Sequence, residues 1–302
     1  MKRYFEAERM CTRLLNDQPD HPEIVTIRII RAETLMELKR WYHAEADAEV
    51  VIDSVVNQLG KGDVGKKKKK TLSVLLRKAM LISAVACYGR RAWKPAVDAF
   101  ERALQRYTDS EPLRQGLQMA KDRIKETETG IYDWPALHRA AMKGDMTSEI
   151  GDYVGPIEEK DFPGFGKGII ASRDVKAGEY LVVGRALAII GRSSLELDQE
   201  SNREMLMQVA GYHHPSIWAF MQTLVYKAYW QPEVNKQLQA LYHGCENPPR
   251  PKFPFRDDAD YRGTETDPIN PMDMDMVAAF NTFGVGVETS PLDGESSVWK
   301  DM

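Results

Sequence analysis

Cysteine is scarce and scattered in this 302-residue chain: Cys11, Cys87 and Cys245 stand far apart, and no C-x-x-C occurs. That excludes a disulfide scaffold, leaves structural zinc unsupported and points to a reducing compartment. No run of eighteen apolar residues is present, and Met1-Lys2-Arg3 leads into an amphipathic helix rather than a signal sequence. The expectation is a soluble intracellular protein, cytoplasmic and/or nuclear, with no membrane partner. Both common phosphate-binding loops are missing too, because no Gly-Lys-Ser/Thr and no G-x-G-x-x-G enters a helix. His213 and His214 precede Pro215, and His243 lies near Cys245, with no carboxylate or cysteine at a ligand spacing. They read as ordinary loop histidines, and no metal site is expected.

What is present divides into two halves. Residues 1–150 carry 27 Lys and Arg against 22 Asp and Glu, whereas residues 151–302 carry 14 against 23. The asymmetry supports two modules. An acidic second half would favour a basic, lysine-containing protein substrate, although a solubilising surface explains the charge as well.

Residues 1–128 read as helices throughout, with apolar and small residues at three- and four-residue spacing. Ala7, Met10, Cys11 and Leu14 come first, then Ile24, Ile27, Ile29 and Ile30, then Leu35 and Leu38. Ala7, Cys11, Leu14 and Pro19 keep the spacing of the second helix of a tetratricopeptide repeat, as do Ala44, Ala48 and Val51, and again Ala96, Phe100 and Ala103. Ala32 with Leu35, and Ala84 with Cys87, occupy the matching first helices. Helix pairs stack closely only where small residues sit at the crossing points. The second-helix motifs lie 37 and 52 residues apart, so the repeats are divergent, and the longer interval holds an inserted loop, Gly60 to Gly65 followed by Lys66 to Lys70. Five lysines could serve nuclear import or nucleic acid, but a solvated loop explains them as well, and no aromatic residue interleaves to stack on bases. Asp109 or Ser110, with Pro112, begins a final helix whose charged face, Lys121, Asp122, Arg123, Lys125 and Glu126, suits the end of an array. Residues 129–152 read as a linker with a docking helix near Trp134, an anchor between modules.

The stretch Ile157 to Val183, IEEKDFPGFGKGIIASRDVKAGEYLVV, is a glycine cluster between two β-type runs. Gly164, Gly166 and Gly168 alternate with Phe165 and Lys167, which allows a backbone with φ > 0 or the close approach of a ligand. The residues alone leave a tight turn and a ligand cradle both open. Ile169 to Ala171 and Tyr180 to Val183 are strand candidates, joined by a turn at Lys176-Ala177-Gly178, and Leu187 to Ile190 is a further one.

The line PGFGKGIIASRDVKAGEYLVV resembles the opening of a SET domain, G-x-G-x-G-L-F-A and then K-x-G-E before an apolar strand. Gly164, Gly166, Gly168, Ala171, Lys176, Gly178 and Glu179 fall on the matching places, with Ile169 and Ile170 for Leu and Phe. The resemblance implies S-adenosylmethionine lying against Gly164, Phe165, Gly166, Lys167 and Gly168, and methylation of protein lysines. Ile131 to Leu137 looks like the segment joining repeats to SET in fungal proteins carrying both. Residues 200–244 return to helical periodicity, which is similar to the insertion, here about 191–271, inside SET domains of the SET-and-MYND type; the MYND zinc module is absent. Phe280-Asn281-Thr282-Phe283 resembles the Asn-x-Phe segment of those enzymes, which implies a cofactor contact from the amide of Asn281. A helix cap explains Asn281 equally well.

The Asn-His-Ser-Cys-x-x-Asn segment and the Tyr-bearing strand of SET domains are not found here, so no catalytic residue is assigned. The expectation is therefore an α+β protein: helical repeats over 1–128, a linker over 129–152, and the N-terminal part of a SET domain over 153–302. Its complete form would be a protein-lysine methyltransferase, with this chain a C-terminally truncated and inactive version. The alternative is a repeat scaffold that binds a protein or peptide and carries a non-catalytic SET remnant.

Overall fold

The computed structural model describes residues 2–60, 65–143, 149–164, 166–188 and 215–241, and the architecture is α+β, mostly helical with four short strands among the described residues. The chain divides into two compact units, Met1–Ala186 and Leu187–Met302. The first begins with six helices: α1 (Lys2–Asp17), α2 (Ile24–Glu37), α3 (Trp41–Gly60), α4 (Lys66–Gly89), α5 (Trp93–Arg106) and α6 (Glu111–Thr129). Each packs on the next, and α2 also meets α4 while α4 meets α6. That is the connectivity of a stacked array of helix pairs.

The small residues explain the close stacking. Ala32, Ala44, Ala48, Ala79, Ala84, Ala96, Ala103 and Ala120 are fully buried, and Val51, Leu76, Cys87, Phe100 and Leu113 fill the spaces between them. Alanine at a crossing lets two helix backbones approach, while the larger side chains remove apolar surface from water. One expectation shifts by a residue: in α1 Leu15 is buried, whereas Leu14 is 40% exposed. Part of α4 is long and apolar enough to cross a membrane by length and composition, yet half of that window is buried within the protein.

Two of the turns are copies of each other at the 52-residue offset. Lys39 and Arg91 adopt left-handed backbone, φ 56° and 64°. At the first, the Arg40 amide donates to the Leu35 carbonyl (2.9 Å) and the Lys39 amide to Met36 (3.0 Å); at the second, Ala92 donates to Cys87 (3.0 Å) and Arg91 to Tyr88 (2.9 Å). Both are Schellman closures, in which a left-handed residue satisfies the last carbonyls of a helix. Glycine is the residue such a position favours. Lys39 is exposed, and Lys39→Gly is expected to stabilise the chain by about 1 kcal/mol, offset in part by glycine's larger unfolded-state entropy. Urea unfolding checks this, and no gain would show that the turn is not strained.

A buried carboxylate inside the array is held by two arginines. Asp47 is 3% exposed on α3, and Arg31 of α2 grips it with Nε to Oδ2 (2.7 Å) and Nη2 to Oδ1 (2.8 Å), while Arg28 Nη1 adds a third bond to Oδ1 (2.9 Å). Arg31 also donates to Thr12 Oγ1 of α1 at 3.2 Å. Three helices therefore meet at one carboxylate. Cys87 donates to Glu45 Oε1 at 3.3 Å, and burial, with Glu45 second, pushes its thiol up to about 12.

The lysine run departs from expectation. Lys66 to Lys70 form the first turns of α4, all exposed, rather than a loop. Lysine is a good helix former, and propensity together with the packing of the following turns outweighs like-charge repulsion there.

Beyond α6 the chain turns at Gly130, φ 65°, into α7 (Trp134–Met142), capped by Asp133 Oδ1, which accepts from the Ala136 amide at 2.9 Å. Trp134 stacks between Tyr132 and Tyr180, with ring centroids 5.2 and 5.6 Å away. Four short strands follow: β1 (Tyr153–Val154), β2 (Ile157–Phe162), β3 (Gly166–Ala171) and β4 (Val182–Val183). β1 pairs antiparallel with β4, and β2 with β3. In the second unit α8 (Pro215–Trp230) and α9 (Pro232–Ala240) bury Leu224, Ala228 and Leu238 together. Leu187 and Ala188, expected in a strand, instead pack on that cluster outside any strand. Lys227 Nζ holds the Leu187 carbonyl at 2.5 Å.

Candidate functional site

The glycine cluster closes a hairpin. β2 and β3 pair in register from Ile157 opposite Ala171 to Phe162 opposite Gly166, with Pro163 and Gly164 in the turn that follows β2. Gly164 and Gly166 have φ 81° and 78°. A Cβ on either would meet nothing within 4 Å, so backbone conformation alone demands glycine at these two positions. At Gly168 the demand is steric, since a Cβ would lie 2.8 Å from the Phe162 ring. The loop thus satisfies the requirement of a tight turn while leaving open space beside Gly164 and Gly166, where a ligand could approach the backbone.

Lys167, between two of these glycines, extends to Glu159 Oε1 at 2.5 Å, and that hydrogen bond raises its pKa. Its ammonium is committed to the hairpin's own face. The following turn is held by Arg173 and Glu179: Arg173 Nη1 lies 3.2 Å from Glu179 Oε2, Nη2 bonds Oε1, and the Lys176 amide donates to Oε2 at 3.0 Å. Arg173 first, then the Lys176 amide, lowers the Glu179 carboxyl to about 2. The folded pKa lies below the ordinary 4.5, so this pairing supports the turn above pH 4.5 and is lost as pH falls towards 2.

Residues 149–155 carry the hairpin on the helical array. Glu126, buried on α6, accepts from the Gly151 amide (2.7 Å) and from Arg123 Nη2 (2.5 Å). Arg123 Nη1 donates to the Glu149 carbonyl (2.5 Å), and Arg91, from the α4–α5 turn, donates to the Ile150 carbonyl (2.7 Å) and to Asp152 Oδ1 (3.0 Å). Tyr132 Oη bonds the Gly151 carbonyl at 2.6 Å. Arg185 adds an ion pair to Glu149. This clamp escaped sequence reasoning. Arg123 and Glu126 belong to the stripe assigned to a solvated face, yet both point into the clamp, and their partners lie about 25 residues or more away in sequence. The usable signal is local and weak: a glycine at 151 beside acidic residues 149 and 152.

Of the residues expected at a cofactor site, the structure brings together Gly164, Gly166, Lys167 and Gly168. Phe165 and Asn281 lie outside the described residues, as do His213, His214, His243 and the stretch 242–302. Among the described residues no group of His, Cys, Asp and Glu could hold a metal ion. Among the described residues β2 and β3 pair only with each other, and Ile169 on β3 is 69% exposed.

The chain is 24% identical over 135 residues to a protein of Gibberella zeae described as a methyltransferase, covering 44% of this chain and 18% of that relative. This distant likeness supports a methyltransferase in general. The chain spans under a fifth of that relative's length. No family model matches the chain, and no solved structure does.

Proposed function

We propose that the chain belongs to an S-adenosylmethionine-dependent protein-lysine methyltransferase of the SET class, with the hairpin at 164–168 as the lip that faces the cofactor. The observation that carries this reading is the hairpin itself: two φ > 0 glycines whose Cβ directions open on empty space, in a sequence that resembles the SET opening. The distant likeness to a methyltransferase supports the reaction class and, with it, the use of S-adenosylmethionine.

Methyl transfer to lysine needs a neutral amine, in line with the sulfonium methyl, in a channel that excludes water. The lip contributes backbone amides and shape to cofactor binding. It offers no base and no channel, and no residue of this chain is given a catalytic role. A protein that joins these residues to an Asn-His segment and a channel tyrosine is expected to transfer the methyl group of labelled S-adenosylmethionine to lysine in a protein mixture. No transfer to lysine by such a protein would overturn the reading.

A second reading is favoured by the helical array, whose core runs without interruption from α2 to α6. In that reading tetratricopeptide-like repeats hold a protein or peptide in their groove, and the hairpin only docks on them. Recruitment of a specific partner by the chain with no affinity for S-adenosylmethionine would favour it.

A further inference from the structure

α1 begins the array and has an outward face of unusual order. Its inward side carries buried Cys11 and Leu15, with Glu8 paired to Arg40 and Thr12 bonded to Arg31. The opposite side shows Arg3, Glu6, Met10, Arg13 and Asp17, all exposed, at spacings of three and four that place them on one stripe about 21 Å long. Met10 is 67% exposed, and Leu14 lies beside it on the same flank. The stripe reads plus, minus, apolar, plus, minus. It is therefore complementary to its own reverse.

We propose that this face pairs antiparallel with α1 of a second copy of the chain, on a two-fold axis through Met10. The two Met10 side chains then meet at the centre, Leu14 covers each from the side, Glu6 of one copy faces Arg13 of the other, and Arg3 faces Asp17. A two-fold interface must be self-complementary in this way, because residue i meets j and j meets i. The parallel arrangement would set like charges together at every level and is disfavoured. Arg13 and Asp17 already touch within one helix at 3.3 Å, but both are largely exposed, with side chains 84% and 60% accessible, so exchanging that pair for an intermolecular one costs little. The charges select direction and register, and the apolar centre supplies the attraction.

Sedimentation velocity of the 302-residue chain from about 1 to 100 µM tests this, a range suited to a small interface. The expected result is a concentration-dependent monomer–dimer equilibrium at low salt that weakens at high salt. E6R and R13E are each expected to raise the dissociation constant by about tenfold or more, since each places like charges together twice per dimer, and E6R/R13E restores dimerisation by reversing both signs. All three change exposed side chains, and circular dichroism checks that the helices persist. A chain that stays monomeric at about 100 µM, a dimer indifferent to both single variants, or a double variant no tighter than the singles would overturn the proposal.

Discussion

Asp47→Ala is expected to destabilise the helical unit by about 3–5 kcal/mol, the cost of breaking a buried ion pair by removing one partner. Arg31 would be left with its guanidinium inside the array and no carboxylate, while Arg28, partly exposed, can turn to water. The loss falls on α1, α2 and α3 together, because Thr12, Arg31 and Asp47 join them. Asp47→Asn keeps one acceptor and should lose less. Pairing Asp47→Leu with Arg31→Met should cost less than the two single effects added, since the uncompensated charge disappears. Denaturant unfolding of the five variants, the two singles of that pair included, measures this. A loss under about 1 kcal/mol for Asp47→Ala would mean that the site is open to solvent and the pair is worth no more than a surface one.

Gly151→Ala is expected to detach the strand segment from the array at a cost of about 2–4 kcal/mol, combining overpacking with a lost buried hydrogen bond. A Cβ at position 151 would lie 2.4 Å from the Arg123 carbonyl oxygen and 3.0 Å from the Thr127 amide nitrogen, both main-chain atoms of α6. Neither can yield without bending the helix. The amide of residue 151 would withdraw from Glu126 and leave that buried carboxylate with Arg123 alone. Hydrogen exchange should quicken at Tyr153, Val154, Val182 and Val183, while the amides of α3 and α4 keep their protection. Unchanged exchange in the strands would show that the clamp does not hold them.

These effects also mark what could be read from sequence. The helix pairs were legible because their signal is local: Ala44, Ala48 and Val51 repeat as Ala96, Phe100 and Ala103, and all six are buried. Where spacing left two neighbours equivalent, the outcome was tertiary, as with Leu14 outside and Leu15 inside. The glycine turn was legible because Gly164 and Gly166 need φ > 0, a backbone demand that glycine meets at low cost, but the strand pairing was not: Ile169 to Ala171, expected to join Tyr180 to Val183 through a turn, pairs with β2 instead. Tyr180 and Leu181 lie outside the strand expected there, which narrows to Val182–Val183, and the Leu181 carbonyl instead accepts from the Gly155 amide at 2.8 Å. Glu126 was misread because a charged residue in a charged stripe gives no hint of a partner at Gly151. Long-range pairing of Arg91, Arg123 and Arg185 has no sequence period at all.

The central claim is that the glycine hairpin faces S-adenosylmethionine, and calorimetric titration of the 302-residue chain with that cofactor, beside Gly166→Val, tests it most directly. The account predicts measurable affinity that falls by about tenfold or more in the variant, because valine is strained at φ 78° and would fill the open space beside the loop, while the unfolding midpoint of the helical array is unchanged. No affinity in the parent chain, or an affinity that Gly166→Val leaves untouched, would contradict it.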